Sequence, residues 1–419
     1  MNKKTIAILG IGRVGLPLAL VFADKGFKVY GIDVNREMIT LLKKGKMPFI
    51  EEKAGTLLKK HINKNFIPTS DSSIVGKSDY VILTLGTPVD DNMNPSLIQI
   101  DSALKSISPY LKPGQVLILR STVSPKTTQY VANFLSKIKK IKVGENFYLA
   151  FCPERIAEGK AVEELYQIPQ IIGGINKESS LKAVELFKVL GIKHWITDAV
   201  SAELAKLFTN MYRYISFAIA NEFMILANKY GKDIYEIVNL VNKDYKRGGL
   251  ALPGLTGGAC LFKDGFFLIS DIPFTDLIST SWRINETIPL FLIENVGKRI
   301  NLADKKTVVL GAAFKANIDD TRESLSFKVK KALEREGAKV IIHDPLVDKF
   351  KGDLDVVLKN ASLVFIAANH AHYINNLTPA KLIKAVNKNC IICDVWNIFK
   401  TNKIIFNVKE LKIKELANG

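Results

Sequence analysis

Residues 5–15 read Thr-Ile-Ala-Ile-Leu-Gly-Ile-Gly-Arg-Val-Gly, and no other stretch so narrows what the chain can fold into. Five mostly apolar residues are the length of a buried strand, and a Gly-x-Gly-x-x-Gly turn follows without a break. At a strand–turn–helix junction the three glycines have separate tasks. Gly10 permits a tight turn, Gly12 lets phosphates approach the backbone, and Gly15 lets the helix pack closely on the strand. The helix N-terminus then offers free N–H groups and the positive end of a dipole. Gly10, Ile11, Gly12, Arg13, Val14 and Gly15 are therefore expected to hold the pyrophosphate of a dinucleotide. Asp33 ends the next apolar run, where a carboxylate takes ribose hydroxyls and repels a 2′-phosphate. NAD is expected rather than NADP, although Arg36 close by has the chemistry to accommodate that phosphate.

Further apolar runs at Lys28 to Ile32, Tyr80 to Leu85, Val116 to Leu119 and Phe147 to Phe151 alternate with amphipathic stretches. Strands separated by helices of this length predict right-handed βαβ units and a parallel sheet. The pattern returns at Thr307 to Leu310, Lys339 to His343, Leu363 to Ala367 and Cys390 to Cys393. Gly-Phe-Lys-Val-Tyr-Gly-Ile-Asp33 matches Gly-Ala-Lys-Val-Ile-Ile-His-Asp344 in place and design. The second copy has Gly311-Ala312-Ala313-Phe314-Lys315 in place of the full glycine turn, so phosphate contacts there fall to Lys315 and Arg322. Different ligands for the two folds follow.

Between them, Ala199 to Tyr230 lacks proline and glycine and keeps helical periodicity through Leu204, Leu207, Phe208, Met211, Ile215, Ala218, Ile219 and Phe223. One helix there would run roughly 48 Å at 1.5 Å per residue. It can join the two folds and build a homodimer, with a buried monomeric spine as the other possibility. The expected fold is α/β: two Rossmann-like doubly wound parallel-sheet domains joined by a long central helix. The expected boundaries are 1–198 for the NAD-binding domain, 199–300 for the helical connector and dimerisation domain, and 301–419 for the C-terminal domain.

At 419 residues the chain exceeds what one hydrophobic core supports, so several domains are expected. The formal charge of +18 suits nucleic acid, a membrane surface or anionic small molecules. Pairs such as Lys43-Lys44, Lys59-Lys60, Lys139-Lys140 and Lys330-Lys331 are scattered rather than gathered into one stripe, which argues against nucleic acid. No long uncharged apolar run suggests a membrane span. The glycine turn interrupts the apolar run after Met1-Asn2-Lys3-Lys4, and this start reads as mature and cytoplasmic. Four cysteines make no disulfide framework. Cys390-Ile391-Ile392-Cys393 has redox or zinc spacing, yet in a strand its odd offset points the thiols to opposite faces. Two core cysteines are expected, and no metal set.

Cys260 differs, lying in Gly257-Gly258-Ala259-Cys260-Leu261-Phe262-Lys263-Asp264 after Pro253 and Gly254. A thiol at a helix start near a lysine has a lowered pKa and becomes a usable nucleophile. Asp264 suits proton handling, or holding Lys263 or a water. Lys206 and Asn210, four residues apart, share a helix face, either as solvated polar residues or as donors to a developing oxyanion. Glu154 and Glu158, in Cys152-Pro153-Glu154-Arg155-Ile156-Ala157-Glu158-Gly159, follow a predicted strand, as do Thr122 and Gly86-Thr87-Pro88. Strand C-terminal ends are where such folds bind ligands.

Together these segments resemble the UDP-glucose/GDP-mannose dehydrogenase family over essentially the whole chain. The motifs are Gly10 to Gly15 with Leu16-Pro17-Leu18-Ala19, Gly86-Thr87-Pro88, Ser121-Thr122-Val123, Pro153-Glu154 with Glu158-Gly159, Lys206 with Asn210, Gly257-Gly258 with Cys260 and Lys263-Asp264, and Asp320-Thr321-Arg322-Glu323-Ser324. The resemblance implies oxidation of a UDP-sugar C6 hydroxyl to a carboxylate, with two NAD molecules reduced in turn and Cys260 carrying a thiohemiacetal and then a thioester. It implies oxyanion stabilisation by Lys206 and Asn210, water activation by Asp264, and proton transfer and water placement by Glu154 and Thr122, with Gly86, Thr87 and Thr122 beside the cofactor. The sugar nucleotide is expected to meet Glu154, Arg155, Ile156, Glu158, Lys206, Asn210, Arg213, Arg247, Pro253, Gly257, Lys263, Phe314, Lys315 and Arg322. In relatives an arginine of this kind comes from a neighbouring subunit, which Arg247 or Arg322 would supply.

Pro153-Glu154-Arg155 resembles the enzymes of UDP-N-acetylhexosamines, N-acetylmannosamine foremost, whereas Ala259 and Leu261-Phe262-Lys263 lean to the UDP-glucose type. Two other readings remain. A two-electron hydroxyacid-type dehydrogenase would leave Cys260 and the second fold without a task. A basic NAD-binding scaffold would account for the charge alone.

Overall fold

The computed structural model describes residues 4–270, 272 and 275–411. They divide into two compact units, residues 4–209 with 266–270 and 272, and residues 210–265 with 275–411.

The first unit is built on an eight-stranded sheet of β1 (Thr5–Leu9), β2 (Lys28–Ile32), β3 (Phe66–Thr69), β4 (Tyr80–Leu83), β5 (Val116–Leu119), β6 (Tyr148–Phe151), β7 (Gln170–Gly174) and β8 (His194–Asp198). Their spatial order is β3-β2-β1-β4-β5-β6-β7-β8. Every neighbouring pair is parallel except β6 and β7. Chain order reverses between β1 and β4, and the crevice at that switch point is where such sheets bind ligands. Strand alternation sends Ile6 and Ile8 into one core with the helix Gly15–Asp24. Ala7 and Leu9 go into the other, against the helices Ile98–Ile107 and Thr127–Leu135. Each fully buried Leu, Ile or Phe there contributes roughly 1.5–3 kcal/mol.

The second unit has β9 (Lys306–Leu310), β10 (Lys339–His343), β11 (Leu363–Ile366), β12 (Ile391–Asp394) and β13 (Ile405–Asn407) in the order β10-β9-β11-β12-β13. Only β13 runs antiparallel. Cys390 and Cys393 are buried in different cores on opposite faces of this sheet, as their offset requires. Of the segment 199–300 expected as a connector, residues 210–265 and 275–300 cluster with this unit. Met224, Ile234, Val238, Ile288 and Leu292 share one core with Val309, Leu363 and Phe365.

The long helix runs Ala199–Lys229. Asp198 caps its start, accepting from Ser201 N at 2.9 Å. It ends at Gly231, whose φ of 64° suits a left-handed turn, and Lys232 N closes back on Ala227 O at 2.9 Å. Buried Lys206, Asn210, Tyr214 and Asn221 lie on one side of it. At 100° per residue, exposed Phe208, Tyr212, Ile219, Phe223, Leu226 and Tyr230 fall within about 60° of one another on the opposite side.

Candidate active site

The glycine turn performs its three tasks in different ways. Gly10 has φ +86°, and a Cβ there would lie 2.6 Å from Thr84 O. A Cβ on Gly15 would lie 2.0 Å from Gly10 O, so these two glycines are required by the packing of the protein itself. A Cβ on Gly12 would meet nothing within 4 Å. That open backbone is the cradle expected for a dinucleotide pyrophosphate. Val14, at the N-cap of the helix Gly15–Asp24, provides no side-chain cap, leaving the first N–H groups for an anion.

Asp33, just past β2, accepts from Ile11 N and Asn35 N, each at 2.9 Å, through different oxygens. A carboxylate has about four acceptor sites, so both oxygens keep capacity for ribose hydroxyls. Arg36 opens the helix Arg36–Lys43 and is exposed. Arg13 stacks over Phe49 at 5.0 Å and meets Glu158 at 4.0 Å, which ties the turn to the loop after β6. The residues present fit NAD.

Strand β4 stops at Leu83, short of the expected Leu85, because Thr84 turns aside to donate its hydroxyl to Leu9 O and Gly10 O. Thr87 Oγ1 donates to Thr122 O at 2.6 Å and Ser121 Oγ to Leu85 O at 2.6 Å. The loops after β4 and β5 are thus stapled together, and Gly86, Thr87 and Thr122 share one strand-end ridge.

The loop after β6 is held by residues that sequence reasoning gave no role. Arg120 is buried beneath it and donates from Nη1 to Cys152 O at 3.1 Å and to Gln170 Oε1 at 2.8 Å, above the Phe187 ring. Burial lowers the pKa of this guanidinium. Gln170 in turn donates to Pro153 O at 3.0 Å. Glu51 accepts from Gly159 N at 2.9 Å and Ala161 N at 2.7 Å. Glu154 is buried, with its carboxylate on Ile156 N. Arg155 turns to donate to Pro169 O. An arginine directly after the apolar run Val116–Leu119 was the available signal for Arg120, whereas Glu51 had none.

Lys206 is 7% exposed, an unusual place for an ammonium group. Among the described residues its ammonium makes no ion pair or hydrogen bond.

In the second unit, Cys260 is the exposed member of the four cysteines. The loop leading to it is locked onto the segment after β9. Gly258, at φ +102°, donates its N–H to Glu323 O at 3.0 Å, and a Cβ on it would lie 2.7 Å from the Phe314 ring. A Cβ on Gly257 would lie 2.5 Å from Glu323 O. Cys260 caps a single helical turn, Leu261–Asp264, so little macrodipole acts on the thiol. Lys263 donates to Asp264 Oδ1 at 2.8 Å, and Asn210 Nδ2 donates to Asp264 Oδ2 at 2.6 Å. The lysine that follows the thiol is therefore one half of an ion pair with Asp264. Pro253 and Gly257 are buried in this loop, whereas Arg213, Arg247 and Lys315 are exposed. Arg247 lies over Tyr245, and Arg322 Nε donates to both oxygens of Asp320 at 3.0 Å. The other thiols are closed to chemistry: burial pushes Cys152 and Cys390 up to about 12 and raises Cys393 as well.

Among the described residues no group of acidic, histidine and cysteine side chains is arranged to hold a metal. No helix among them is long and apolar enough to cross a membrane.

Three models of the UDP-glucose/GDP-mannose dehydrogenase family match the chain: its NAD binding domain over residues 4–191, its central domain over 200–287 and its UDP binding domain over 308–401. The UDP-N-acetyl-D-mannosamine dehydrogenase of Methanocaldococcus jannaschii is 34% identical over 426 residues, covering 99% of this chain and 97% of that protein. The solved UDP-D-ManNAc dehydrogenase of Pyrococcus horikoshii superposes with a TM-score of 0.87 at 30% identity, covering 91% of this chain and 93% of that one. The UDP-N-acetyl-mannosamine dehydrogenase of Staphylococcus aureus superposes at 0.85 with 29% identity, covering 94% and 95%.

Proposed function

The chain belongs to the UDP-glucose/GDP-mannose dehydrogenase family, and from that premise we propose that it oxidises the C6 hydroxyl of UDP-N-acetyl-D-mannosamine to the carboxylate. The observation that carries the sugar is the near full-length similarity to relatives bearing that name. Arg155 and Ala259 pull in opposite directions, and UDP-glucose is the second reading.

NAD, held by the Gly10–Gly15 turn and Asp33, supplies the hydride acceptor for each of the two oxidations. Loss of a hydride and a proton turns the C6 alcohol into an aldehyde. The Cys260 thiolate adds to its carbonyl carbon, the C–S bond forms as the carbonyl π bond breaks, and the oxygen takes up a proton to give a thiohemiacetal. Loss of a second hydride and proton gives the thioester. The oxygen of water then bonds to the acyl carbon, the C–S bond breaks, and the thiolate and the uronate are released with two protons. A thiol suits both halves, being nucleophilic near neutral pH and a good leaving group from an acyl carbon.

Lys206 and Asn210 stabilise the oxyanions in this scheme, and a largely buried Lys206 whose ammonium is not taken up in an ion pair supports its part. Asp264 activates the water, Glu154 moves the proton, and Thr122 places the water. Lys315, Arg322 and the loop of residues 246–257 bind the sugar nucleotide, with Arg247 or Arg322 acting on a neighbouring subunit's substrate.

A homodimer belongs to the same proposal. Tyr212, Phe223 and Tyr230 on the long helix are 76%, 43% and 74% exposed, and a continuous aromatic and aliphatic stripe of this kind marks an interface. A helix presenting the same face in two copies buries it. Cytoplasmic localisation fits an enzyme whose thiol must stay reduced.

An NADH assay across UDP-N-acetylmannosamine, UDP-glucose, UDP-N-acetylglucosamine, UDP-N-acetylgalactosamine and GDP-mannose tests the sugar. Two NADH per UDP-N-acetylmannosamine is the expected result. One NADH per sugar would return the enzyme to the two-electron class.

A further inference from the structure

Cys260 sits on a loop with little secondary structure of its own, yet a nucleophile has to be held to well under an ångström to attack efficiently. On the reading that Cys260 is the nucleophile, we infer that Asn221 is the positioning residue that fixes the start of its loop. Asn221 Oδ1 accepts from Gly254 N at 3.0 Å, and Asn221 Nδ2 donates to Gly254 O at 3.1 Å. Its carboxamide thus pairs with both backbone groups of one glycine, as a neighbouring strand would.

The second amide hydrogen of Asn221 goes to Asn285 Oδ1 at 2.9 Å, and Asn285 Nδ2 donates to Tyr214 O at 3.1 Å. Asn221 and Asn285 are both fully buried. Every donor on the Asn221 amide is satisfied, and flipping that amide would set donors against donors and acceptors against acceptors. Orientation is therefore fixed by the network. An apolar pair of similar size would pack the long helix against the helix Asp276–Gly297 as well, but would leave the Gly254 N–H unpaired and its carbonyl with only Thr256 Oγ1 at 3.5 Å, free to shift in register.

Gly254 also lets the Trp396 ring close over the loop at this point, since a Cβ there would lie 2.8 Å from it. Downstream the loop is caught again where Gly258 N meets Glu323 O and where Asn210 holds Asp264. Asn210 and Asn221, eleven residues apart, stand on the same side of one helix, about 16 Å from each other at 1.5 Å per residue. The Cys260 segment is therefore strung between two asparagine anchors on a single rigid rod. Asn221 acts on the substrate only through that backbone.

The test combines the wild-type enzyme with two variants. In the wild type, the Gly254 amide is expected to exchange with deuterium at the slow rate of helix amides although it lies in a loop; exchange at the rate of an exposed loop amide would overturn the inference. Asn221→Ser is expected to lower kcat on the order of 10²-fold, with NAD binding unchanged and faster exchange at Gly254. Asn285→Ala, which keeps both Gly254 bonds and removes only their orienting partner, is expected to move the same readouts less. Wild-type kcat and exchange in a folded Asn221→Ser enzyme would also overturn the inference. Should Asn221→Ser fail to fold, the wild-type exchange and Asn285→Ala decide alone. Exchange at Gly254 does not depend on the chemistry of Cys260, so turnover by Cys260→Ser would defeat the nucleophile reading while leaving the anchor itself measurable.

Discussion

Asn210 donates to the buried carboxylate of Asp264 over 2.6 Å while Lys263 occupies its other oxygen. Two donors on opposite oxygens hold the carboxylate in one orientation four residues beyond Cys260. On the proposed mechanism, Asp264 held this way serves the water that hydrolyses the thioester rather than the first oxidation.

Asp264→Asn is therefore expected to slow the last step selectively, by roughly 10²–10⁴-fold, the usual contribution of a positioned acid or base. Stopped-flow absorbance of NADH should show a rapid burst followed by slow turnover. Unchanged steady-state turnover would remove Asp264 from the hydrolytic step.

Cys260→Ser is expected to abolish net uronate formation and leave NAD binding intact. Titration of native thiols gives a second check. The wild type should show one rapidly reacting equivalent per chain, because Cys152, Cys390 and Cys393 are buried. The variant should show none.

For cofactor choice, Asp33→Asn keeps an acceptor for a backbone N–H and removes the charge. A rise of about tenfold in KM for NAD, equivalent to about 1.4 kcal/mol, is expected, together with a smaller preference over NADP. Kinetics with the two cofactors side by side measure both changes.

Two buried aspartates at the C-terminal ends of β10 and β12 give opposite pH signatures. Burial raises Asp394 from 3.8 to about 6, so the stability it contributes is fully present below about pH 4 and lost as pH rises through about 6. Asp344 is pushed up by burial but held down by its bond from His370 and by backbone donors. It ends near 2, and its contribution is present above about pH 4 and lost as pH falls toward 2. Thermal unfolding of Asp394→Asn should show a flatter pH dependence between about 4 and 6 than the wild type. An unaltered profile would mean that Asp394 does not titrate in that range.

Charge on the exposed helix stripe should break the proposed dimer. Tyr212→Glu combined with Phe223→Glu is expected to sediment as a monomer where the wild type sediments as a dimer. A wild-type chain that is already monomeric would return the stripe to solvent.

Legibility in the sequence followed physical signal. The long helix was readable nearly to its last residue because no Pro or Gly interrupts Ala199 to Tyr230 and Gly231 stops it. Strands β1, β2, β5 and β9 announced themselves as apolar runs bounded by turns. β3 carries Pro68 at a sheet edge, β7 ends in Gly173-Gly174, and β8 is a largely exposed edge strand. None of these has the composition of a buried strand. For the site, residue types with few structural uses, such as Cys260 among glycines, were visible. Supporting residues such as Asn221, Arg120 and Glu51 were not, since their meaning lies in which backbone groups they reach, and those come from distant parts of the chain.

Gly12 owes nothing to its own protein. The chain could carry a methyl group there without any internal collision, whereas Gly10 and Gly15 are dictated by neighbouring backbone and hydroxyl atoms. Alanine at that one position should give a molecule that matures normally and differs only toward its guest. The turn thus divides into residues answerable to architecture and one answerable to cargo, and that single carbon atom is enough to separate the two obligations.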